Sequence, residues 1–358
     1  MERFWENKTV LITGANGFKG SWLSIWLSNL GAKVVGLSKH VDCTSNIFDN
    51  INNNILNFYG DINDDKLINF ILSESNPDII IHMAAQPLVL ASYLDPHETM
   101  KTNVLGTNCL LKELYELKKQ GLKTKVFLNV TTDKVYKNRE WIWGYRETDQ
   151  LGGLDPYSCS KACSEMVTEM YARSFFKDLD ISFSTVRAGN VVGGGDWSEN
   201  RLIPDCIKSF VSDCDISIRF PNSIRPWQHV IEPLAGYMLL AESMYKKMIK
   251  FDSWNFGTNQ SVTVKEVVDI LFSLWKKNDL KAKISPSLIN ESNLLKLDSH
   301  KSAYHLGWSN IFTINEVMRY TVEWYEAYFY KNQKSESITL EQLRLFSSKF
   351  NKESLIIN

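Results

Sequence analysis

The fold of this chain is written most plainly in Thr9-Val-Leu-Ile-Thr-Gly-Ala-Asn-Gly-Phe-Lys-Gly20. Its first five residues, Thr9–Thr13, form a short uncharged run rich in strand formers, which is how a buried parallel strand reads. Glycines follow at 14, 17 and 20, around Phe18. A helical repeat then sets Trp22, Leu23, Trp26, Leu27 and Leu30 on one face and stops at Gly31. A glycine motif alone is a weak signal, but strand, glycine turn and helix in this order predict a dinucleotide site. The glycines let the chain turn tightly and bring backbone N–H groups at the helix start up to a pyrophosphate.

Downstream, Lys33–Leu37 predicts a second strand. It ends in Ser38-Lys39-His40, with Asp42 beyond, where folds that prefer NAD carry an acid for the ribose hydroxyls. Local chemistry therefore leaves NAD and NADP open. Asn46–Asn54 predicts an Asn-rich loop, and Asn57–Ile62 a strand ending in Gly60-Asp61. Asp78–His82 is an apolar strand that runs into Met83-Ala84-Ala85-Gln86-Pro87, small residues against which a ribose can pack. Pro96–Lys119 predicts one long helix carrying Asn103 and interrupted by Gly106.

Lys125–Val130 predicts another buried strand, and Thr131–Lys161 carries the densest chemistry. Thr132, Asp133 and Lys134 lie just past the strand, where the carboxyl ends of parallel strands build active sites. Asp155-Pro156 predicts a helix start, which puts Tyr157 and Lys161 four residues apart on one face. An ammonium beside a phenol favours phenolate and lowers the tyrosine pKa, which makes a base near neutral pH. Standing alone, that spacing is more often a solvated helix face; the strand and turn before it give it weight. Trp141, Trp143 and Tyr145 put three aromatics in the intervening loop and predict a cover for the substrate or an interface.

Ile181–Arg187 ends a run of strands alternating with helical patterns. That alternation predicts an α/β fold: a Rossmann-type doubly wound parallel sheet with a smaller C-terminal α/β substrate-binding domain. The predicted boundaries give 1–187 plus 230–257 to the dinucleotide domain and 188–229 plus 258–330 to the substrate domain. Residues 331–358 read as an appended tail, helical in part around Leu340–Phe346. Ala188–Trp197 holds Gly193-Gly-Gly195 and predicts a binding loop rather than a regular element. Arg201 opens a helix, and Arg225, Trp227 and His229 fall within five residues. The planar fork of an arginine suits a diphosphate.

At 358 residues the chain has room for one large α/β domain and a smaller one. A net charge of -1 without a basic block gives no electrostatic case for nucleic acid. No apolar run approaches the roughly 20 residues that span a bilayer, and the start lacks the pattern of a secretory signal. Cys43, Cys109, Cys159, Cys163, Cys206 and Cys214 show no C-x-x-C spacing, which fits reduced thiols and argues against a disulfide framework or a zinc site. The expectation is a cytoplasmic protein without a metal.

Taken together, Gly14, Gly17, Gly20, Asp61, Thr132, Tyr157 and Lys161 resemble an extended short-chain dehydrogenase/reductase of the NAD-dependent epimerase/dehydratase family, over residues 5–330. The phrases His82–Val89, Thr132–Lys134, Arg139–Glu147, Arg187–Trp197, Arg201–Pro204 and Ile224–Val230 are similar to the CDP-glucose 4,6-dehydratase branch. Asp133-Lys134 is the informative pair: related dTDP- and UDP-sugar dehydratases carry Asp-Glu there, and 4-epimerases lack an acid/base pair. The resemblance implies NAD as a bound, regenerated cofactor. It implies cofactor contacts from Gly14, Gly17, Phe18, Gly20, Asp61, Ile62, Ala84, Ala85, Gln86, Tyr157 and Lys161, with Asn103 supporting Lys161 through water. It implies CDP-glucose as substrate, held by Asn190, Arg201, Arg225 and His229. Tyr157, with Lys161 and Thr132, is implied to take the C4 hydroxyl proton and Asp133 to be the acid at C6. Lys134 is implied to be either the base at C5 or an electrostatic stabiliser.

A homodimer or homotetramer built on the helices from Pro96 and Tyr157 belongs to the same expectation, as does a place in dideoxy-sugar synthesis for lipopolysaccharide O-antigen. Within enzymes the alternative is a sugar-nucleotide 4-epimerase or reductase. From another class, it is a catalytically inactive NAD-binding scaffold or sensor, against which the intact Thr132, Tyr157 and Lys161 argue.

Overall fold

Val10, Leu11 and Ile12 lie between Val34–Gly36 on one side and Ile79–Ile81 on the other, in parallel register with both. A computed structural model of the chain describes residues 4–39, 55–247, 249, 251–276, 280–285, 294–350, 352 and 355–357. The Asn-rich stretch Asn46–Asn54, His40, Asp42 and Cys43 fall outside these residues.

Strands β1 (Thr9–Thr13), β2 (Lys33–Ser38), β3 (Ile55–Tyr59), β4 (Ile79–His82), β5 (Val126–Val130) and β6 (Ser182–Ala188) form the main sheet. Shorter strands follow: β7 (Asn190–Val192), β8 (Ile216–Ile218), β9 (Ile224–Arg225) and β10 (Trp227–His229). The next, β11 (Asp252–Phe256), returns to the main sheet beside β6. The seven strands run β11-β6-β5-β4-β1-β2-β3, every pair parallel. Reversal of strand order beside β1 is the doubly wound arrangement, with its crevice at the carboxyl ends of β1 and β4.

Helices α1 (Phe18–Asn29), α2 (Asp65–Ser75), α3 (Val89–Leu94), α4 (Pro96–Met100), α5 (Gly106–Lys119) and α6 (Pro156–Ser174) accompany the first strands. Later ones are α7 (Leu202–Val211), α8 (Ile231–Lys246), α9 (Val264–Trp275), α10 (His300–Leu306), α11 (Ile314–Tyr330) and α12 (Ser335–Phe350). The apolar strands are covered on both faces, as parallel sheets require. On one face Trp22, Trp26, Leu234 and Met238 join the larger core. On the other, Ile68, Leu72, Leu110, Leu114 and Phe176 form the second.

Three sequence expectations change. The helix from Pro96 to Lys119 is α4 and α5 joined by a π-helical turn, Lys101–Leu105, which carries Asn103. Such turns re-aim side chains at functional sites. The glycine run after β6 is not a free binding loop. Asn190–Val192 pairs with Trp227–His229, and a Cβ on Gly194 would sit 2.0 Å from the Trp324 ring. The Gly194 carbonyl accepts from Trp22 Nε1 at 2.9 Å, so these glycines serve close packing.

The described residues of 331–358 are not an appendage. Ile338, Leu343, Phe346 and Leu355 are buried in the main core, and Trp26 Nε1 donates to the Leu355 carbonyl at 3.1 Å. Tertiary burial, invisible to a composition rich in Lys, Ser and Glu, holds this helix in place.

Candidate active site

The glycine turn packs onto the exit of β4. Gly14 has φ 76°, and a Cβ there would meet the Ala84 nitrogen at 2.9 Å. A Cβ on Gly20 would lie 2.1 Å from the Gly14 carbonyl. No side chain caps the start of α1 at Gly17, so the first N–H groups point at whatever lies beyond the turn. Ile62 is buried, and Phe18 approaches Gly193 across the site. Asp61, just past β3, accepts from the backbone and side chain of Asn63, both at 2.9 Å, and pairs with Lys39 at 3.5 Å. Partial burial pushes the Asp61 carboxyl up, but the Asn63 hydrogen bonds and Lys39 outweigh it and hold it below its usual value.

Asn103 is buried, and its links are direct. Its Oδ1 accepts from Gln86 N at 2.8 Å, while its Nδ2 donates to the Gln86 carbonyl at 3.1 Å and to Ser160 Oγ at 2.8 Å. It thereby ties the β4 exit, which carries Ala84, Ala85 and Gln86, to the turn of α6 that holds Lys161.

Thr132 starts a 3₁₀ turn, Asp133–Val135, directly after β5. Its hydroxyl donates to Asp133 Oδ1 at 2.9 Å and shares a hydrogen bond with the Tyr157 phenol. Asp133 is 1% exposed, and Lys134 Nζ stands 3.6 Å from its carboxylate. The helix α6 starts where Asp155 Oδ1 accepts from Ser158 N at 2.9 Å, which sets Tyr157 in the first turn and Lys161 in the next. Lys161 Nζ donates to the Val130 carbonyl at 3.1 Å. Burial lowers the Lys161 pKa to about 8, against the opposing pull of Glu165.

The expectation that a neighbouring cation leaves Tyr157 with a lowered pKa needs correction. Burial is the largest effect and raises it; Lys134, the Thr132 hydrogen bond and Arg201 only partly pull it back.

Sequence reasoning passed over two groups. Glu165, one turn beyond Lys161, accepts from Thr131 Oγ1 and from the Arg187 guanidinium, both residues almost fully buried. Arg187 also donates to the Tyr136 hydroxyl, which donates to Asn255 Oδ1 at 2.8 Å. The second group is Lys19, in the first turn of α1. Its ammonium senses Arg201, Lys161, Asp133 and Lys134; burial, with the three cations, lowers its pKa to about 7 against the opposing pull of Asp133. The sequence signal was available: a lysine in the first turn of a helix, where the dipole disfavours a cation.

On the other side of the crevice, Arg201 Nη1 pairs with the buried Asp196 at 3.2 Å. A Cβ on Gly189 would lie 3.1 Å from Pro226 and 3.4 Å from Asp133 Oδ2, so the segments carrying Asn190 and Arg225 converge on Asp133. His229 does not fit the substrate role expected of it. It is fully buried, edge-on to Trp22 and Phe312, and burial holds its pKa down to about 3. In the aromatic loop, Tyr145 is buried and stacks between Tyr136 and Trp141, at 5.0 and 5.1 Å. Ile142 and Trp143 stay exposed. Among the described residues, no group of His, Cys, Asp and Glu is arranged to hold a metal ion, and no helix is long and apolar enough to cross a membrane.

Residues 11–321 match the family described as GDP-mannose 4,6 dehydratase. The chain belongs to that family. A CDP-glucose 4,6-dehydratase from Salmonella typhimurium is 42% identical to this dehydratase-family chain, over 91% of it and 93% of the relative. Solved structures share its fold. A UDP-glucose 4-epimerase from Thermotoga maritima superposes with a TM-score of 0.78 at 24% identity, covering 90% of this chain and 99% of that one. A dTDP-glucose 4,6-dehydratase from Streptomyces venezuelae, solved with NAD, gives 0.77 at 22%, covering 91% and 100%.

Proposed function

We propose that this chain is a CDP-glucose 4,6-dehydratase that converts CDP-glucose to CDP-4-dehydro-6-deoxy-D-glucose and water. The observation that carries the reading is the Asp133–Lys134 pair, 3.6 Å apart beside Tyr157. A 4-epimerase or reductase needs only the tyrosine and lysine. The 42% identity to a CDP-glucose 4,6-dehydratase supports the choice of base.

The glycine turn fits a dinucleotide, because its close approaches leave no room for Cβ atoms and its helix start carries no side-chain cap. When bound, NAD supplies the acceptor for the C4 hydride and its donor back to C6. Residues 1–187 plus 230–257 form its domain, and 188–229 plus 258–330 the sugar-nucleotide domain.

Tyr157 takes the C4 hydroxyl proton, with Thr132 sharing the hydrogen bond. Lys134, Arg201 and the buried Lys161 supply positive charge that favours the phenolate. The ketone at C4 then acidifies C5. One proton hop across the Asp133–Lys134 pair leaves a neutral carboxyl and a neutral amine. Lys134 takes the C5 proton as Asp133 gives its own to the departing C6 hydroxyl. Lys134 then returns a proton to C5 as C6 receives its hydride, and the proton that Tyr157 took at C4 makes up for the one carried off in the water. Asn190, Arg201 and Arg225 hold the diphosphate, whereas His229 only supports the wall behind them.

The protein works in the cytoplasm, without nucleic acid or membrane, in dideoxy-sugar synthesis for O-antigen. It assembles as a homodimer or homotetramer through α5 and α6, where Met166 and Met170 of α6, with Leu105 just before α5 and Phe175 just after α6, are exposed. Incubation with NAD and CDP-, UDP- or dTDP-glucose in parallel, followed by mass spectrometry, tests the reaction. Loss of one water from CDP-glucose is expected. Isomerisation without that loss identifies an epimerase, and no turnover with NAD bound leaves a scaffold.

A further inference from the structure

The basic side chains at the catalytic cluster are not equivalent. Lys134 has Asp133 at 3.6 Å, Lys161 has the Val130 carbonyl at 3.1 Å, and Arg201 has Asp196 at 3.2 Å. Lys19, half-buried in the glycine turn, has no hydrogen bond or ion pair among the described residues. It faces charged groups from three other segments: Asp133 and Lys134 after β5, Lys161 on α6 and Arg201 before α7. Three of those four are cations, and the helix start beneath Lys19 adds positive potential. Asp133 is the one group in that set that attracts it, and Asp133 is already engaged by Thr132 and Lys134.

We propose that Lys19 binds a diphosphate, acting together with Arg201 as a ligand-holding cation between the glycine turn and the catalytic pair. Lys134 and Arg201 already face a carboxylate, whereas Lys19 has none to itself; a diphosphate bridge supplies one, and its oxygens accept charge-assisted hydrogen bonds from an ammonium. The inference rests on the sugar-nucleotide reading above, and it adds a residue that contacts the diphosphate from the cofactor turn. Two sources present the same chemistry here: the sugar nucleotide and the dinucleotide.

One physical consequence separates this role from a packing role. Burial and the neighbouring cations leave Lys19 with a pKa of about 7, so above neutral pH it is largely uncharged. An arriving dianion restores the charge, and the protein takes up a proton as the ligand binds. Lys161 also titrates low, at about 8, so the assignment needs variants.

Calorimetric titration of the full chain with CDP, and separately with NAD, at about pH 6 and about pH 8.5, in buffers of differing ionisation enthalpy, reads both affinity and proton uptake. Lys19→Met should weaken one of the two ligands about ten- to hundredfold at the lower pH and remove its proton uptake at the higher one. Lys19→Arg, charged at every pH, should keep the affinity and lose the uptake. The ligand that responds identifies the source. Unchanged affinity and proton uptake for both ligands in Lys19→Met overturns the proposal. So does a fall in kcat in both variants with binding intact, which would place the amine in turnover instead. Wild-type protein that binds CDP but releases no water from CDP-glucose would refute the reaction while leaving this inference standing.

Discussion

Lys134 Nζ lies 3.6 Å from the carboxylate of Asp133, and the pair is unequal: the lysine side chain is 38% exposed, the aspartate 2%. The carboxylate is fixed by Thr132, and the ammonium reaches it from the open side. In the proposed reaction this asymmetry lets the lysine follow the substrate while the acid stays in place. Lys134→Met should stop elimination while only slowing oxidation at C4, where Arg201 and the Thr132 hydrogen bond still favour the Tyr157 phenolate. Turnover should fall by about 10²–10⁴-fold, and reduced-nicotinamide absorbance should accumulate in a single-turnover experiment. A proportional loss of both steps would show that Lys134 acts on the first.

Glu165 is the group that raises the Lys161 pKa against burial, and it neutralises Arg187 in the core. Glu165→Gln should therefore do two things. It leaves a buried guanidinium without its counter-charge, at a cost of about 3–5 kcal/mol in urea unfolding. It also lets Lys161 deprotonate at lower pH. In the proposed reaction Lys161 must be charged to favour the Tyr157 phenolate, so the alkaline limb of kcat/KM should move down in pH.

The sign for Lys19 runs the other way in stability. Its pKa is about 7 in the folded chain against 10.5 for a lysine in water. Between these values the unfolded chain binds the extra proton, so stability rises with pH across that window. Below about 7 the folded chain carries the whole penalty. Lys19→Met should raise the Tm of the nucleotide-free protein most at about pH 6 and least above about pH 10.5, measured by calorimetry.

Phe346 of α12 is fully buried, edge-on to Trp26 and Phe312. Phe346→Ala should cost about 3–5 kcal/mol in denaturant unfolding. A wild-type midpoint would show that α12 does not dock in solution.

Met166 and Met170 stand four residues apart on α6 and are exposed, so one helical face presents both. Met166→Glu should break the proposed assembly through this face and lower the mass read by light scattering. Unchanged mass would move the interface elsewhere.

How these features were read from the sequence follows from how local their causes are. β1, the glycine turn and α1 announce themselves because strand burial, glycine geometry and helical periodicity are all written within twenty-odd residues. Thr132, Asp133, Tyr157 and Lys161 could be placed because a strand end and a helix start each have local signals. The packing of Gly194 on Trp324 joins residues 130 positions apart, and no local pattern reports it. His229 stood beside Arg225 in sequence and looked like a site residue, yet β10 is buried at all three positions and carries it into the aromatic core. The depth of Tyr157, which reverses the expected shift of its pKa, is likewise a tertiary property. Lys19 was hidden by its company: three glycines drew the reading to the backbone and away from the side chain.

The most direct test of the reaction follows one atom. CDP-glucose deuterated at C4 is incubated with the protein and NAD, and the product is examined by proton NMR. An internal redox cycle with elimination across C5 and C6 delivers the label to the C6 methyl group of the 4-keto product. Deuterium returned to C4, with no methyl group formed, would contradict the account and assign the chain to epimerisation.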